Sequence, residues 1–337
     1  MRSHLVSAVL VTALAASGSA AAADYTLKLG HANDPDPKNS IFHAMSLEFE
    51  RLVEERSGGR IDVVIYPAMQ LGGEQEQVRA TQLGTQEAAL VSMNNLNAFA
   101  PSLGFFSLPY MFTSVEEGRR AIDRGWEQIN EWAVADAGVR VLTITDAGFR
   151  VLSNSRHPVR SLEDLQDLKI RLPQNPIMIS AFESWGVSPI PMAWSETFNA
   201  LQQKVVDGQE NPVNVLLAVK FYEVQKYVTD IDWILQTGAL VVSEDFFQGL
   251  PEELQAAVVE AGKETMAWER AYVEKVISSD VARLEELGIE FAGRPADFET
   301  WVERARATWA DQYAFLGKGD AAAGKAIVET IQGLTGE

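Results

Sequence analysis

The chain reads as an α/β protein of two units joined by one long helix, and three observations carry that reading. Short apolar strands alternate with amphipathic helices between Tyr25 and Met93. A second, tighter alternation of the same kind runs from Val139 to Ser243. A single helical pattern then extends over residues 251–287, well beyond the roughly 8–20 residues of an ordinary globular helix.

The elements follow in order. Arg2 precedes an apolar run over residues 5–15, and Ala21-Ala22-Ala23 supplies the small residues of a cleavage site. Residues 1–23 therefore read as a secretory signal removed before Asp24, which implies an exported product. The run is too short for a membrane span, which needs roughly 20 residues. Residues 25–30 alternate like a strand. Asn39 or Ser40 caps a helix with the stripe Ile41, Phe42, Met45, Phe49, Leu52 and Val53, and Gly58-Gly59 ends it. A second strand over 61–66 stops at Pro67, a helix over 74–83 closes at Gly84, and a third strand covers 88–93. This series predicts a parallel sheet with helices on both faces.

A helix over 114–137 leads to a strand over 139–145 and an extended segment over 149–153. Ser161 and Asp164 resemble a capping box. A strand over 169–172 is cut off by Pro173. Helices over 177–185, 195–204 and 212–220 alternate with short strands over 188–191 and 205–206, which gives a second, smaller α/β unit. Residues 232–243 are strand-like again. The long helix has Pro251 at its first position and Gly288 at its end. A helix of that length bridges two domains rather than covering one.

Composition narrows the function. The 337 residues suffice for two domains. Twenty-eight basic residues stand against 47 acidic ones, a net charge of −19 that becomes −20 once Arg2 leaves with the signal. Nucleic acid and anionic lipid both need basic surface, so neither is an expected partner. Zero cysteine excludes disulfide scaffolds, thiol nucleophiles and anchoring through a lipidated cysteine. No Gly-x-Ser-x-Gly elbow, His-Glu-x-x-His helix, phosphate-binding glycine loop or EF-hand loop occurs. His31, His43 and His157 lack metal-ligand spacing, so no metal, cofactor or catalytic residue is expected. Glu116-Glu117 and Glu285-Glu286 read as solvated helix faces.

Three stretches combine rigid backbone with polar groups. In the first, residues 169–176, Arg171 ends a buried-looking strand, where α/β proteins bind ligands. A guanidinium there can clamp a carboxylate through two hydrogen bonds; the plainer alternative pairs it with an acid of its own sheet. In the second, residues 206–212, Gly208 allows a tight turn, Pro212 starts a helix and Asn211 stands before it as N-cap. The third, residues 66–74, is a loop at a strand's carboxyl end. Trp194 and Trp233 lie near these loops, although a lone tryptophan is more often core.

The segments 191–202 and 206–212, together with Tyr66-Pro67-x-x-Gln70-Leu71-Gly72, Leu108-Pro109-Tyr110, the 168–173 strand and 221–227, resemble the substrate-binding proteins of TRAP transporters, the DctP family. The similarity runs from about Asp24 to beyond Pro251. It implies a periplasmic binding protein of two α/β lobes, with strand crossovers, a ligand cleft between the lobes and a long helix spanning both. Lobe I would hold residues 24–148 and about 237–275, and lobe II residues 149–236 and about 276–337. The resemblance implies that Arg171 and Asn211 hold the carboxylate of a small organic acid. Arg150 would be a second basic position, Trp194 an aromatic wall and Glu74 a polar group on the opposing lobe. Ser92, Met93 and Asn94 would line the cleft, and Trp233 and His31 would face its distal half. It also implies paired membrane subunits as partners. An ATP-driven or chemoreceptor-feeding binding protein, or a periplasmic enzyme acting on small acids, stays open at this point.

Overall fold

The computed structural model describes residues 22–277 and 279–336, so the expected signal, apart from its last two residues, lies outside the described residues. The chain forms the strands β1 (Tyr25–His31), β2 (Ile61–Tyr66), β3 (Ala88–Ser92), β4 (Val139–Phe149), β5 (Val151–Asn154), β6 (Ile170–Leu172), β7 (Ile190–Pro191), β8 (Gly208–Asn211), β9 (Tyr227–Thr229), β10 (Leu235–Ser243) and β11 (Glu290–Phe291). They make two sheets, in the orders β2-β1-β3-β10-β4 and β11-β9-β5-β8-β6-β7.

The first sheet is mixed, where the sequence predicts a parallel one. β1 runs parallel to β2 and β3, but β10 runs antiparallel to both β3 and β4. The cause is the path of the chain. It leaves the first sheet at the end of β4, builds most of the second sheet, and re-enters beside β4 through β10, which must therefore run back. One face of this sheet packs Leu29 and Leu240 against Met45, Phe49 and Val258. The other packs Val91, Ala239 and Ile144 against Phe105 and Ile129.

Local signals act as expected at the first helix, Ile41–Ser57. Ser40 Oγ accepts a hydrogen bond from His43 N at 3.1 Å, and Gly58 ends the helix in the left-handed region at φ +63°. Elsewhere the outcome differs. The 114–137 helix is two helices, Val115–Arg124 and Trp126–Ala137, parted at Gly125. The strand expected over 205–206 falls instead on Gly208–Asn211, whose four residues are all buried. There Gly208 serves close approach rather than a turn, because a Cβ at this position would lie 2.3 Å from the Ser153 carbonyl of β5. Pro212, not Asn211, occupies the N-cap position of the helix Val213–Ala218.

The long helix divides into Glu252–Ile277 and Asp280–Glu286, with Ser279 at the N-cap position of the second. The longer piece packs on Ile41–Ser57 and β4, and the shorter one on Val213–Ala218, so the pair spans both sheets. Beyond it, Phe298–Ala307 packs Trp301 and Ala305 into the second-sheet core. The expected second-lobe tail ends there. Trp309–Leu316 and Ala321–Thr335 turn back, and Trp309, Leu316, Ile327 and Ile331 join the first-sheet core because that face still has apolar surface to cover. Arg120 Nε closes the return by donating to the Thr335 carbonyl at 3.1 Å.

Candidate ligand-binding site

A cleft of about 720 Å³, partly open to solvent, lies where the two sheets face each other. The first lobe contributes Asn33, Ser40, Phe42, Glu74, Asn94 and Asn95, and the second Arg171, Trp194, Asn211 and Asn214. Arg150 and Gln236 enter from the two crossovers, beside the ends of β4 and β10.

Arg171 is the centre of the second-lobe wall. It lies in the middle of the three-residue β6 and is only 3% exposed. Its Nη2 donates to the Met192 carbonyl at 2.7 Å, and its guanidinium stands 5.7 Å from the Trp194 ring centre. Among the described residues no carboxylate forms an ion pair with it, and its Nε has no hydrogen-bond partner. Burial lowers its pKa to about 10; Arg150 adds to that, while Glu210 and Glu74 oppose it.

Arg150 is equally buried and fully engaged. Its Nε and Nη2 both donate to the Glu210 carboxylate, Nη2 also reaches the Glu210 carbonyl at 2.8 Å, and Nη1 donates to Gln236 Oε1. Trp233 Nε1 donates to the same Glu210 at 3.1 Å. This network ties both crossovers to β8 at the floor of the cleft.

Asn211 is buried at the end of β8, and its Nδ2 donates to Gln209 Oε1 at 2.5 Å. Gln209 Nε2 donates in turn to Ser153 Oγ at 2.8 Å, and that hydroxyl donates to Gln225 Oε1 at 3.0 Å. The chain of bonds fixes the amide orientation and leaves the second N–H of Asn211 Nδ2 for another acceptor. On the first lobe, Glu74 opens the helix Glu74–Gln82. Its Oε1 accepts from Ser92 N at 2.7 Å and Ser92 Oγ at 3.0 Å, and its Oε2 from Asn95 Nδ2. Burial raises the Glu74 pKa, and those donors together with Arg171 pull it back.

The cleft thus brings together Arg171, Asn211, Arg150, Trp194, Glu74, Ser92 and Asn94. Three expected positions lie elsewhere. Met93 is buried in the first-sheet core, since one step along the chain from Ser92 turns the side chain inward. Trp233 is fully buried against Phe182 and Trp185, at ring-centre distances of 5.2 and 5.6 Å, and meets the site only through Glu210. His31 is fully buried with its Nε2 3.1 Å from His43 Nδ1, and burial beside His43 lowers its pKa to about 4.

Sequence reasoning missed Asn33, Asn95, Asn214 and Gln236. Asn33 and Asn95 follow the carboxyl ends of β1 and β3, a placement that could have marked them. Asn214 has a buried Oδ1 with no hydrogen-bond partner among the described residues. It is an open acceptor in the cleft wall.

Among the described residues no helix is long and apolar enough to cross a membrane, and no group of three or more His, Cys, Asp or Glu residues could hold a metal ion. Residues 31–315 match the family described as bacterial extracellular solute-binding protein, family 7, or DctP. A solute-binding protein of Verminephrobacter eiseniae is 34% identical over 241 residues, 72% of each chain. A TRAP periplasmic solute-binding protein of Rhodobacter sphaeroides, solved in an apo open form, is 37% identical and superposes with a TM-score of 0.78, covering 92% of this chain and 99% of its own. One from Roseobacter denitrificans with bound L-galactonate is 29% identical with a TM-score of 0.80, covering 91% and 99%. With the match spanning most of its length and the two-sheet cleft in place, this chain belongs to the DctP family of TRAP-type solute-binding proteins.

Proposed function

We propose that this chain captures a small hydroxylated carboxylic acid in the cleft and delivers it to the membrane subunits of a TRAP-type transporter. The observation that carries this reading is Arg171, a buried cation with no counter-ion and an unpartnered Nε. Burying a lone charge is costly, and a ligand carboxylate repays it by forming a bidentate, charge-assisted pair. The remaining N–H of Asn211 donates to the same carboxylate, and Trp194 closes one side. Asn214 Oδ1, an open acceptor, takes a hydroxyl of the ligand's tail. The galactonate bound by the Roseobacter denitrificans relative is such a hydroxylated acid.

The crossovers at Arg150 and before Leu235 act as the hinge, and closure of the lobes excludes water from the pair. Export to the periplasm follows from the amino-terminal signal read in the sequence. Glu74 is held by three donors of its own lobe, which supports a reading of retention rather than turnover. An ATP-coupled, chemoreceptor-feeding or enzymatic role gains no support from the comparisons.

A thermal-shift screen of small organic acids tests the proposal. A hydroxylated monocarboxylate such as L-galactonate is expected to raise the melting temperature of the wild type, and Arg171→Ala to abolish the rise. An equal rise in the variant would overturn the assignment.

A further inference from the structure

The acidic shell of this protein has a basic interruption beside the cleft. Lys38, Lys220, Lys275 and Arg283 line a groove of about 1260 Å³. Asn39, Ile41, Asn214 and Ala218 line both this groove and the cleft, so the two spaces adjoin. Lys38 comes from the first lobe, just before the helix Ile41–Ser57. Lys220 and Arg283 come from the second, where Leu284 and Phe221 share a core.

Lys38, Lys220 and Arg283 are exposed to solvent. The other surface cations largely hold acids, as Arg51 holds Glu48 and Glu55, Arg270 holds Asp123, and Lys318 holds Asp136. Among the described residues no carboxylate forms an ion pair with Lys38, Lys220 or Arg283. Asp280 is the one acid lining the groove; it is buried, and burial raises its pKa to about 6 against the pull of the Arg283 charge, with which it makes no ion pair. Of the nearby acids, Asp36 accepts from Lys38 N and Asn39 Nδ2, and Asp34 lines the adjacent groove that Lys220 also reaches. Lys220 itself sits in the left-handed region at φ +56°, where glycine would fit more easily.

We infer that this groove is an anion vestibule, in which Lys38, Lys220 and Arg283 collect an organic anion from solvent and pass it to Arg171 across the shared wall. A chain of net charge −19 repels anions at long range, but salt screens that repulsion beyond about 8 Å. Within that distance three unpaired cations around one concave space concentrate an anion and speed its entry. An anion between Lys38 and Lys220 also offsets their mutual repulsion across the two lobes, which favours approach of the lobes. The inference draws on the carboxylate reading only for what passes onward; anion capture by the groove is independent of Arg171.

Two measurements test it on the mature chain. Chloride-35 NMR line broadening probes the groove with chloride alone. Broadening is expected in the wild type and in Arg171→Ala, and is expected to fall by about half or more in the triple variant Lys38→Ala, Lys220→Ala, Arg283→Ala. Stopped-flow tryptophan fluorescence with L-galactonate then follows entry. The triple variant is expected to lose about three- to tenfold in association rate at low salt, and most of its salt dependence, with the dissociation rate unchanged. Unchanged broadening in the triple variant, or an association rate and salt slope equal to wild type, overturns the vestibule. Failure of galactonate to bind the wild type counts against the acid reading, and the chloride measurement then decides the vestibule by itself. All three side chains are exposed, and an unchanged melting temperature verifies that the variant is folded.

Discussion

Arg150 and Arg171 enter the same cleft, are both 3% exposed, and are treated in opposite ways. Arg150 spends its donors inside the protein, on Glu210 and Gln236. Arg171 has one backbone carbonyl, an aromatic face, and no acid. Burial is therefore not what separates these two arginines. The difference lies in where the counter-charge comes from. A cation neutralised by its own chain fixes the crossovers, whereas one left unneutralised is, in the function proposed above, what sets the sign of the ligand.

The largest effect that would break this contrast is on Arg150's partner. Glu210→Ala leaves a buried guanidinium uncompensated and frees Trp233 Nε1, so the unfolding free energy should fall by about 3–5 kcal/mol in urea denaturation. Unchanged stability would mean that Arg150 is not held as the geometry implies. Arg171→Ala reverses the pattern. Affinity for a hydroxylated acid, read by calorimetry, should drop by about 3–4 kcal/mol, while the ligand-free protein keeps or gains stability because a lone buried charge has gone. A destabilised ligand-free variant would place Arg171 in Arg150's class.

His31 sharpens the contrast from a third side, as a buried group that avoids charge altogether. Its folded pKa is about 4 against an ordinary 6.5, so the unfolded chain takes up the proton first. The stabilisation is complete above pH 6.5 and is lost as pH falls toward 4, about 3 kcal/mol across that window. Thermal melts between pH 7.5 and 4.5 should show the decline, and His31→Gln should flatten it. The smallest expected effect concerns a neutral group. Asn214→Ala should cost about 1 kcal/mol for a hydroxylated acid and nothing for its deoxy counterpart, measured by paired titrations.

How much of this was legible depended on whether a residue's role is local. The Ser40 cap, the Gly58 stop and the β1 to β3 series follow from spacing and from glycine's freedom, and they stand. Arg171 is picked out by its expected place at a strand end, Asn211 and Trp194 by family resemblance, and all three line the cleft. β8 was not read as a strand because Gly-Gln-Glu-Asn looks like a loop; its polarity is satisfied only by Ser153, Arg150 and Trp233, brought from other elements. Met93, Trp233 and His31 were misplaced for a related reason. Proximity in sequence does not say which face of an element a side chain takes. Asn33, Asn95, Asn214 and Gln236 converge from four separate segments, and convergence belongs to the tertiary fold.

The return of the last two helices has a consequence in time rather than space. Trp309, Leu316, Ile327 and Ile331 complete a core whose other walls are laid down between Val78 and Val241. Until residues 309–331 have emerged, that hydrophobic face stays uncovered, and the first lobe waits on contacts of long sequence separation to close. The first lobe is therefore the later of the two to complete its core.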